Sequence, residues 1–327
     1  MSASYVDRVT QQIQQYANTA ALWKLPPIYS YWNCRYVIPR VQQASGVGSI
    51  FDTYFNAIAT AAQAKGGKRA VLYSIGAGDC TVETMLAEKL RAAKIANARI
   101  VCLELSPVRL ERARRGASAK GVADLMEFKE TDLNVWKAPE PVEVFIAHHT
   151  LHHLVELETI YDEIKAAMTD ESVFLTADMI GRNGHQRWPE ALHWIEQLWT
   201  VMPDRYKLNF QFSSVHEKYL DWDCSTSGFE GIRAQDVLPL LVERFGYDWF
   251  VGYGGVIDPF IERGYGQNFD PADPADTGFI DLVENLNQTL LEAGKLTPTM
   301  MIASFRKGVG QSKAPAGVTP ERAIRRV

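Results

Sequence analysis

The segment Ala70–Ser106, AVLYSIGAGDCTVETMLAEKLRAAKIANARIVCLELS, limits the fold more than any other part of the chain. An apolar run (Val71–Ile75) enters the turn Gly76-Ala77-Gly78, a helical pattern follows over Thr81–Ala93, and a second apolar run (Ile100–Leu103) stops at Glu104. That order predicts a strand, a tight turn, a helix and a second strand parallel to the first. The glycines let the backbone pass close to a ligand. A carboxylate at the tip of the second strand suits two hydrogen bonds from a ribose diol. The unit therefore predicts a nucleoside-sized site where the two strands end.

The alternation continues. Ser106 and Pro107 open a helix over Pro107–Lys120, as N-cap and first helical residue. Strands are expected at Leu125–Glu130, Val142–Ala147 and Ser172–Asp178, with a helix at Leu157–Ala167. The fold class is α/β: a Rossmann-like, doubly wound, mostly parallel sheet. After Asp178 the rhythm breaks. Helices are expected at Trp188–Met202, Arg233–Phe245 and Phe279–Ala293, strands at Asp248–Ile257 and Thr299–Phe305, and the DPADPAD stretch is expected to turn. Before the first strand lie a polar helix (Tyr5–Tyr16), an aromatic and proline-rich stretch (Trp23–Pro39) too irregular for one helix, and an amphipathic helix (Ile50–Ala64). The expected organisation is a helical and aromatic cap (1–66), a catalytic domain (67–306) with helical insertions at about 181–231 and 258–296, and a flexible basic tail (307–327).

The net charge is −5, yet the end of the chain from Arg306 carries six cations against Glu321, so the rest stands at −10. An acidic body repels polyanions, which argues against a nucleic-acid partner. The four cysteines have no C-x-x-C spacing, and no apolar run is long enough for a bilayer. The expectation is a cytoplasmic protein with a small-molecule substrate, no membrane partner and possibly a homodimeric state.

A dinucleotide fingerprint needs G-x-G-x-x-G and an acid about 20 residues on. Here the third position is Thr81, and Glu104 lies 26 residues after Gly78. There is also no G-x-x-x-x-G-K-[ST] loop for phosphates.

The order of motifs instead resembles the class I S-adenosylmethionine-dependent methyltransferases, from Val71 to about Asp178, with the sheet's end near Thr299–Phe305. The family's acid-x-G-x-G-x-G turn stands here as Ser74-Ile75-Gly76-Ala77-Gly78-Asp79-Cys80. Its ribose-binding acid matches Glu104, its polar residue after strand three matches Asp132, and its x-x-x-L-H-H-L ending of strand four matches Ala147–Leu154. The resemblance implies S-adenosylmethionine as cofactor, held by Ser74, Gly76, Ala77, Gly78, Asp79, Glu104, Leu105, Asp132, Leu133 and His148. Two departures stand out. Ser74 replaces the acid that often holds the methionine ammonium, with Asp79 as the candidate substitute, and Cys80 replaces the third glycine.

In the cap, Tyr29, Tyr31, Trp32 and Tyr36 could wall the cofactor, since aromatic faces attract a sulfonium as they do ammonium ions. Arg35 and Arg40 could grip a carboxylate. Tyr29 and Arg35 are assigned to the cofactor, and Tyr31 and Asn33 to the substrate. Arg182, Asn183 and His185, after strand five, complete the substrate side. Four of seven histidines lie in His148–His153. His149 and His153 share a helix spacing, but there is no H-E-x-x-H, so no metal is expected. His148 or His149 is the candidate base, while His152 and His153 are read as capping and packing residues. The function expected is methyl transfer to an O, N or C nucleophile of a small or medium-sized metabolite in an enclosed pocket. The alternatives are transfer or cyclisation of the aminobutyryl chain, leaving methylthioadenosine, and a non-catalytic cofactor-binding protein.

Overall fold

The computed structural model describes residues 5–17, 24–139, 141–226 and 228–325. Five parallel strands form in chain order: β1 (Ala70–Ile75), β2 (Ala98–Glu104), β3 (Met126–Glu130), β4 (Val142–His148) and β5 (Met168–Met179). Two more, β6 (Gly246–Tyr253) and β7 (Met300–Arg306), complete a seven-stranded sheet in the order β3-β2-β1-β4-β5-β7-β6. Only β7 runs against the rest, pairing antiparallel with both β5 and β6. Strand order reverses at β1, which pairs β2 on one side and β4 on the other. A crevice opens at such a reversal. All six residues of β1 are buried, as a strand covered on both faces requires.

The helices flanking the sheet follow the local signals. The helix Pro107–Ala119 starts at Ser106, whose side chain accepts the Arg109 N–H, with Pro107 in its first turn. The helix Ile50–Ala64 is capped by Ser49 in the same way. The DPADPAD stretch divides in two. Asp270 accepts from the Ala272 N–H and makes a turn, whereas Asp273 caps and Pro274 opens a 19-residue helix, Pro274–Glu292, five residues before the expected start. Pro at a first helical position forfeits no hydrogen bond, so the second Asp-Pro starts a helix where a turn was expected.

The aromatic stretch is more regular than expected. Residues Pro27–Ser45 are helical throughout, with one wide π turn over Asn33–Val37 between the α segments Pro27–Trp32 and Ile38–Ser45. Pro39 has no N–H to give, and its ring would strike the carbonyl four residues back in a regular helix. The wide turn placed just before it accommodates both facts. Trp23, at the start of that stretch, lies outside the described residues.

The basic tail, expected to be flexible, packs as far as Arg325. Lys313 bridges Trp249 at the β6 edge, Val318 and Ala323 are buried, and Arg325 pairs with Glu190 at 3.1 Å over the face of Trp188. The charges thus have partners on the body, and an apolar side chain every few residues anchors the segment. Of the three tryptophans near helical spacing, Trp199 is core, Trp188 lies under Arg325, and Trp194 is exposed. No described helix is long and apolar enough to cross a membrane.

Candidate cofactor and acceptor site

The glycine turn after β1 is shaped by left-handed backbone. Gly76 and Gly78 have φ of 66° and 60°, and Cys80, which precedes the helix Thr81–Ala92, also lies in this region at 52°. A Cβ on Gly76 would strike the Thr150 side chain, and one on Gly78 the Arg109 guanidinium. The Ala77 N–H donates to the Leu103 carbonyl, which ties the turn to β2. Glu104 then closes the site. One carboxylate oxygen accepts from the Gly78 N–H and the other from the Ser106 N–H, both at 2.9 Å. Each oxygen retains a further acceptor position for a diol. Leu105, half-buried, follows it.

The acid missing from position 74 is supplied by the following helix. Ser74 is buried and donates through Oγ to Glu83 Oε1 at 2.5 Å. Glu83 is 3 % exposed, and its Oε2 is buried without a hydrogen-bond partner. Burial pushes its carboxyl up to about 7, with the Ser74 hydrogen bond acting against the rise. A buried, half-satisfied carboxylate next to the glycine turn is what a cationic ligand group would complete. Sequence reasoning missed it. The signal was a glutamate three residues into a core-facing helix, where an apolar residue would ordinarily stand. Asp79, the expected substitute, faces away toward Arg112 at 3.0 Å and Arg109 at 3.7 Å.

After β3, Asp132 accepts from the Asn134 N–H at 2.9 Å and from the Tyr5 hydroxyl at 2.7 Å, and Leu133 is buried beside it. Tyr5 belongs to the helix Tyr5–Ala17. Arg8 of that helix donates to the Gly228 carbonyl, and Gln11 and Gln12 accept from Gly228 and Phe229. The N-terminal helix therefore bridges the loop after β3 and the end of the first insertion.

The histidine segment is organised by one carboxylate. Asp178, fully buried at the end of β5, accepts the N–H groups of Thr150 and Leu151 at 2.9 and 2.8 Å and the His152 ring Nδ1 at 2.6 Å. These donors and the His152 charge hold it well below the usual carboxylate range, against its burial. Burial alone would lower His152, but Asp178 and Glu230 raise it to about 10, so it is an imidazolium at neutral pH. His152 Nε2 lies 3.4 Å from Glu230, and His185 Nε2 lies 2.8 Å from the same oxygen. His152 is thus an ion-pair centre and not a simple packing residue, and Glu230 was not anticipated.

His148 is half-buried, with Nδ1 3.2 Å from the Tyr54 hydroxyl and Phe51 against its ring. Burial, then the neighbouring His149, lowers it to about 3. His149 is exposed, yet protein packs around it closely enough for burial to bring it down to about 4. Arg263 of the second insertion is near enough to bias the same ring, and Tyr29 lies within electrostatic reach of that same Arg263 and of Glu262. The backbone of His149 is left-handed at φ 52° and its N–H donates to the Ala177 carbonyl. Strain of this kind persists only where surrounding structure enforces it.

Other expected contacts fall elsewhere. Arg35 is an exposed side chain 3.4 Å from Asp281, and the Tyr31 and Tyr36 hydroxyls donate to that same Asp281. Arg40 pairs with Glu284 at 2.9 Å. These groups bind the cap to the helix Pro274–Glu292 and do not reach the strand ends, because they project from the outer face of the cap helix. Asn33 is half-buried at the start of the π turn. Arg182 donates to the Arg187 carbonyl at 3.4 Å, and Asn183 accepts from the Gln235 N–H, capping the helix Ala234–Arg244. Of the three substrate residues expected after β5, only His185 joins the histidine cluster. The Asp258-Pro259-Phe260 stretch at the start of the second insertion is buried: Asp258 holds Arg187 at 2.5 Å and the Thr299 hydroxyl at 2.6 Å.

The histidines also set an acid limit on stability. His148, His149 and His153, with values of about 3, 4 and 4, titrate below an unfolded histidine near 6.5. Between about 6.5 and 4 the unfolded chain binds more protons at these groups, so stability falls as pH falls. Glu83 opposes this, because a carboxyl raised to about 7 favours the folded state as pH drops below 7. Three groups outweigh one. The urea midpoint should be lower at pH 5 than at pH 7, and an equal or higher midpoint at pH 5 would refute these assignments.

Residues 74–176 match the family described as Methyltransferase domain. No curated protein matches the chain. Among solved structures, the O-methyltransferase of a trans-AT polyketide synthase from Brevibacillus brevis, in complex with S-adenosyl-L-homocysteine, aligns at 12 % identity and a TM-score of 0.40, over 77 % of this chain and 72 % of that one. The plantazolicin methyltransferase BpumL, also bound to that product, aligns at 12 % identity and 0.40, over 92 % and 99 %. The mitomycin 7-O-methyltransferase MmcR aligns at 16 % identity and 0.39, over 92 % and 67 %. With its glycine turn and Glu104, the matched segment 74–176 is a methyltransferase domain of the class I S-adenosylmethionine-dependent type.

Proposed function

We propose that this methyltransferase acts on a hydroxyl or amine of a small or medium-sized acceptor, held beside His149 at the end of β4. In this reading Glu104 takes the ribose diol, Asp132 and Leu133 the adenine, and Glu83 together with Ser74 the methionine ammonium. The buried, unpartnered Glu83 oxygen supports that fit, because a cationic group there would supply the bond it lacks. Bound S-adenosylmethionine supplies an electrophilic methyl on a sulfonium. The chain's residues align the acceptor, exclude water and remove one proton.

His149 is the proton acceptor. It is exposed and lowered to about 4, so it is neutral with a free lone pair at physiological pH. His148 is unsuited to the task because its Nδ1 is engaged with Tyr54. The one observation that carries the reading is this enclosed yet accessible imidazole at the end of β4.

The test is incubation with methyl-labelled cofactor and a panel of hydroxylated and amino metabolites. Label in a small product, with S-adenosylhomocysteine released, is expected. Release of methylthioadenosine, or label only in protein or RNA, would overturn the proposal.

A further inference from the structure

We infer that His152, His185 and Glu230 form a binding site for one first-row divalent transition ion, with zinc as the reference case. The inference does not depend on which acceptor is methylated. One ring nitrogen from each histidine and one Glu230 oxygen all lie within 4.8 Å of one another. Glu230 Oε1 is 2.8 Å from His185 Nε2 and 3.4 Å from His152 Nε2. Ligand atoms around a tetrahedral zinc sit about 3.4 Å apart, from bond lengths of about 2.0–2.2 Å. Two of the three separations are 2.8 and 3.4 Å, and the third is no more than 4.8 Å.

Two features make this more than a chance cluster. The first is the outer partner. His152 directs Nδ1 at the buried Asp178 carboxylate, 2.6 Å away, and turns Nε2 toward Glu230. A carboxylate behind a histidine is the usual arrangement at ligated imidazoles, because it fixes the ring and makes the outward nitrogen a better donor. The second is construction. His185 is left-handed at φ 55° beside Gly184 at 67°, and Gly231 at 62° packs against the His185 ring. The Gly184 N–H donates to the Gly231 carbonyl, which clamps the two loops together. Two distant loops are held in strained backbone so that one side chain from each meets His152.

Two histidines and one carboxylate form a mixed nitrogen and oxygen donor set, which suits zinc, cobalt or manganese over calcium or magnesium. His153 Nε2, 3.9 Å from the other Glu230 oxygen, stands next in line as a fourth ligand. The cluster joins His152 to His185 and Glu230 and is not the His149/His153 pair that the spacing raises.

The experiment is a titration of the tag-free, chelator-treated full chain with cobalt(II), followed by its visible ligand-field absorption, and with zinc by calorimetry. One equivalent should bind with micromolar or tighter affinity. The cobalt complex should show the intense bands of four or five coordination, and zinc should displace it. Glu230→Gln and His185→Gln should each weaken binding at least about tenfold, whereas His193→Gln, at an exposed histidine, should change nothing. Circular dichroism and S-adenosylhomocysteine binding report whether the variants fold. Failure of the wild-type chain to bind one equivalent would overturn the site whatever the variants do. So would cobalt spectra unchanged in both folded variants. Either result would leave a proton between His152 and Glu230 and not a metal.

Discussion

Glu83→Gln should weaken binding of S-adenosylhomocysteine by about 10- to 100-fold, the equivalent of a hydrogen bond to a charged group at about 1.5–3 kcal/mol. Methylthioadenosine has the same nucleoside but no amino-acid end, and its affinity should stay within about twofold. Glu104→Ala should weaken both ligands, because it removes the ribose acceptor. The pair of ligands thus separates two claims. Loss of neither ligand in Glu104→Ala would remove the cofactor site from this crevice. Unchanged S-adenosylhomocysteine affinity in Glu83→Gln would remove only the ammonium assignment. Glutamine keeps the length of the side chain and can still accept from Ser74 Oγ, so the fold should survive. The variant also relieves a burial cost. Glu83 is pushed up to about 7 by burial, so at pH 8 the empty protein carries a poorly solvated anion, and glutamine does not. At that pH the variant should unfold at an equal or higher urea concentration while binding its ligand more weakly. A residue kept for packing would not separate the two readouts in that direction.

Glu83 also shows where sequence reading stops. The strand, turn, helix and second strand of Ala70–Glu104 are legible because each rests on local signals: apolar runs, two glycines needed for left-handed backbone, and an acid at a strand tip. The same holds for the helix caps at Ser49 and Ser106. What was not legible depends on side chains meeting across the chain. Nothing in the order of residues says that Glu83 turns inward to the position Ser74 leaves empty, or that Glu230 approaches His152 from 78 residues away. The cap misled in the opposite way. Its prolines and aromatics look irregular, yet Pro26 is the N-cap, Pro27 the first helical residue, and a π turn absorbs Pro39. Tyr31, Tyr36, Arg35 and Arg40 look like ligand contacts, but Asp281 and Glu284 of the long helix take them as an interface. A surface for packing one element on another and a surface for a ligand use the same residue types, and only the fold distinguishes them.

His149→Asn should lower kcat by about 10²- to 10⁴-fold, the usual contribution of a positioned general base, with S-adenosylhomocysteine affinity unchanged. Asparagine is the informative replacement because it tolerates left-handed backbone, and position 149 lies at φ 52°. A bulkier or β-branched residue would confound loss of the base with backbone strain. The pH profile carries the sharper test. A base lowered to about 4 by burial is already unprotonated above pH 5, so with saturating cofactor, which holds Glu83 ionised, kcat should be level from about pH 6 upward and fall only on the acid side. An ordinary solvent-exposed histidine would put the break near 6.5. His152 cannot imitate this behaviour, since it holds its proton up to about 10 between Asp178 and Glu230. Its loss should disturb the whole histidine segment and the fold with it. If His149→Asn retains kcat within about threefold of the unaltered chain on a small acceptor, the proton leaves by another route, and alignment alone carries the reaction.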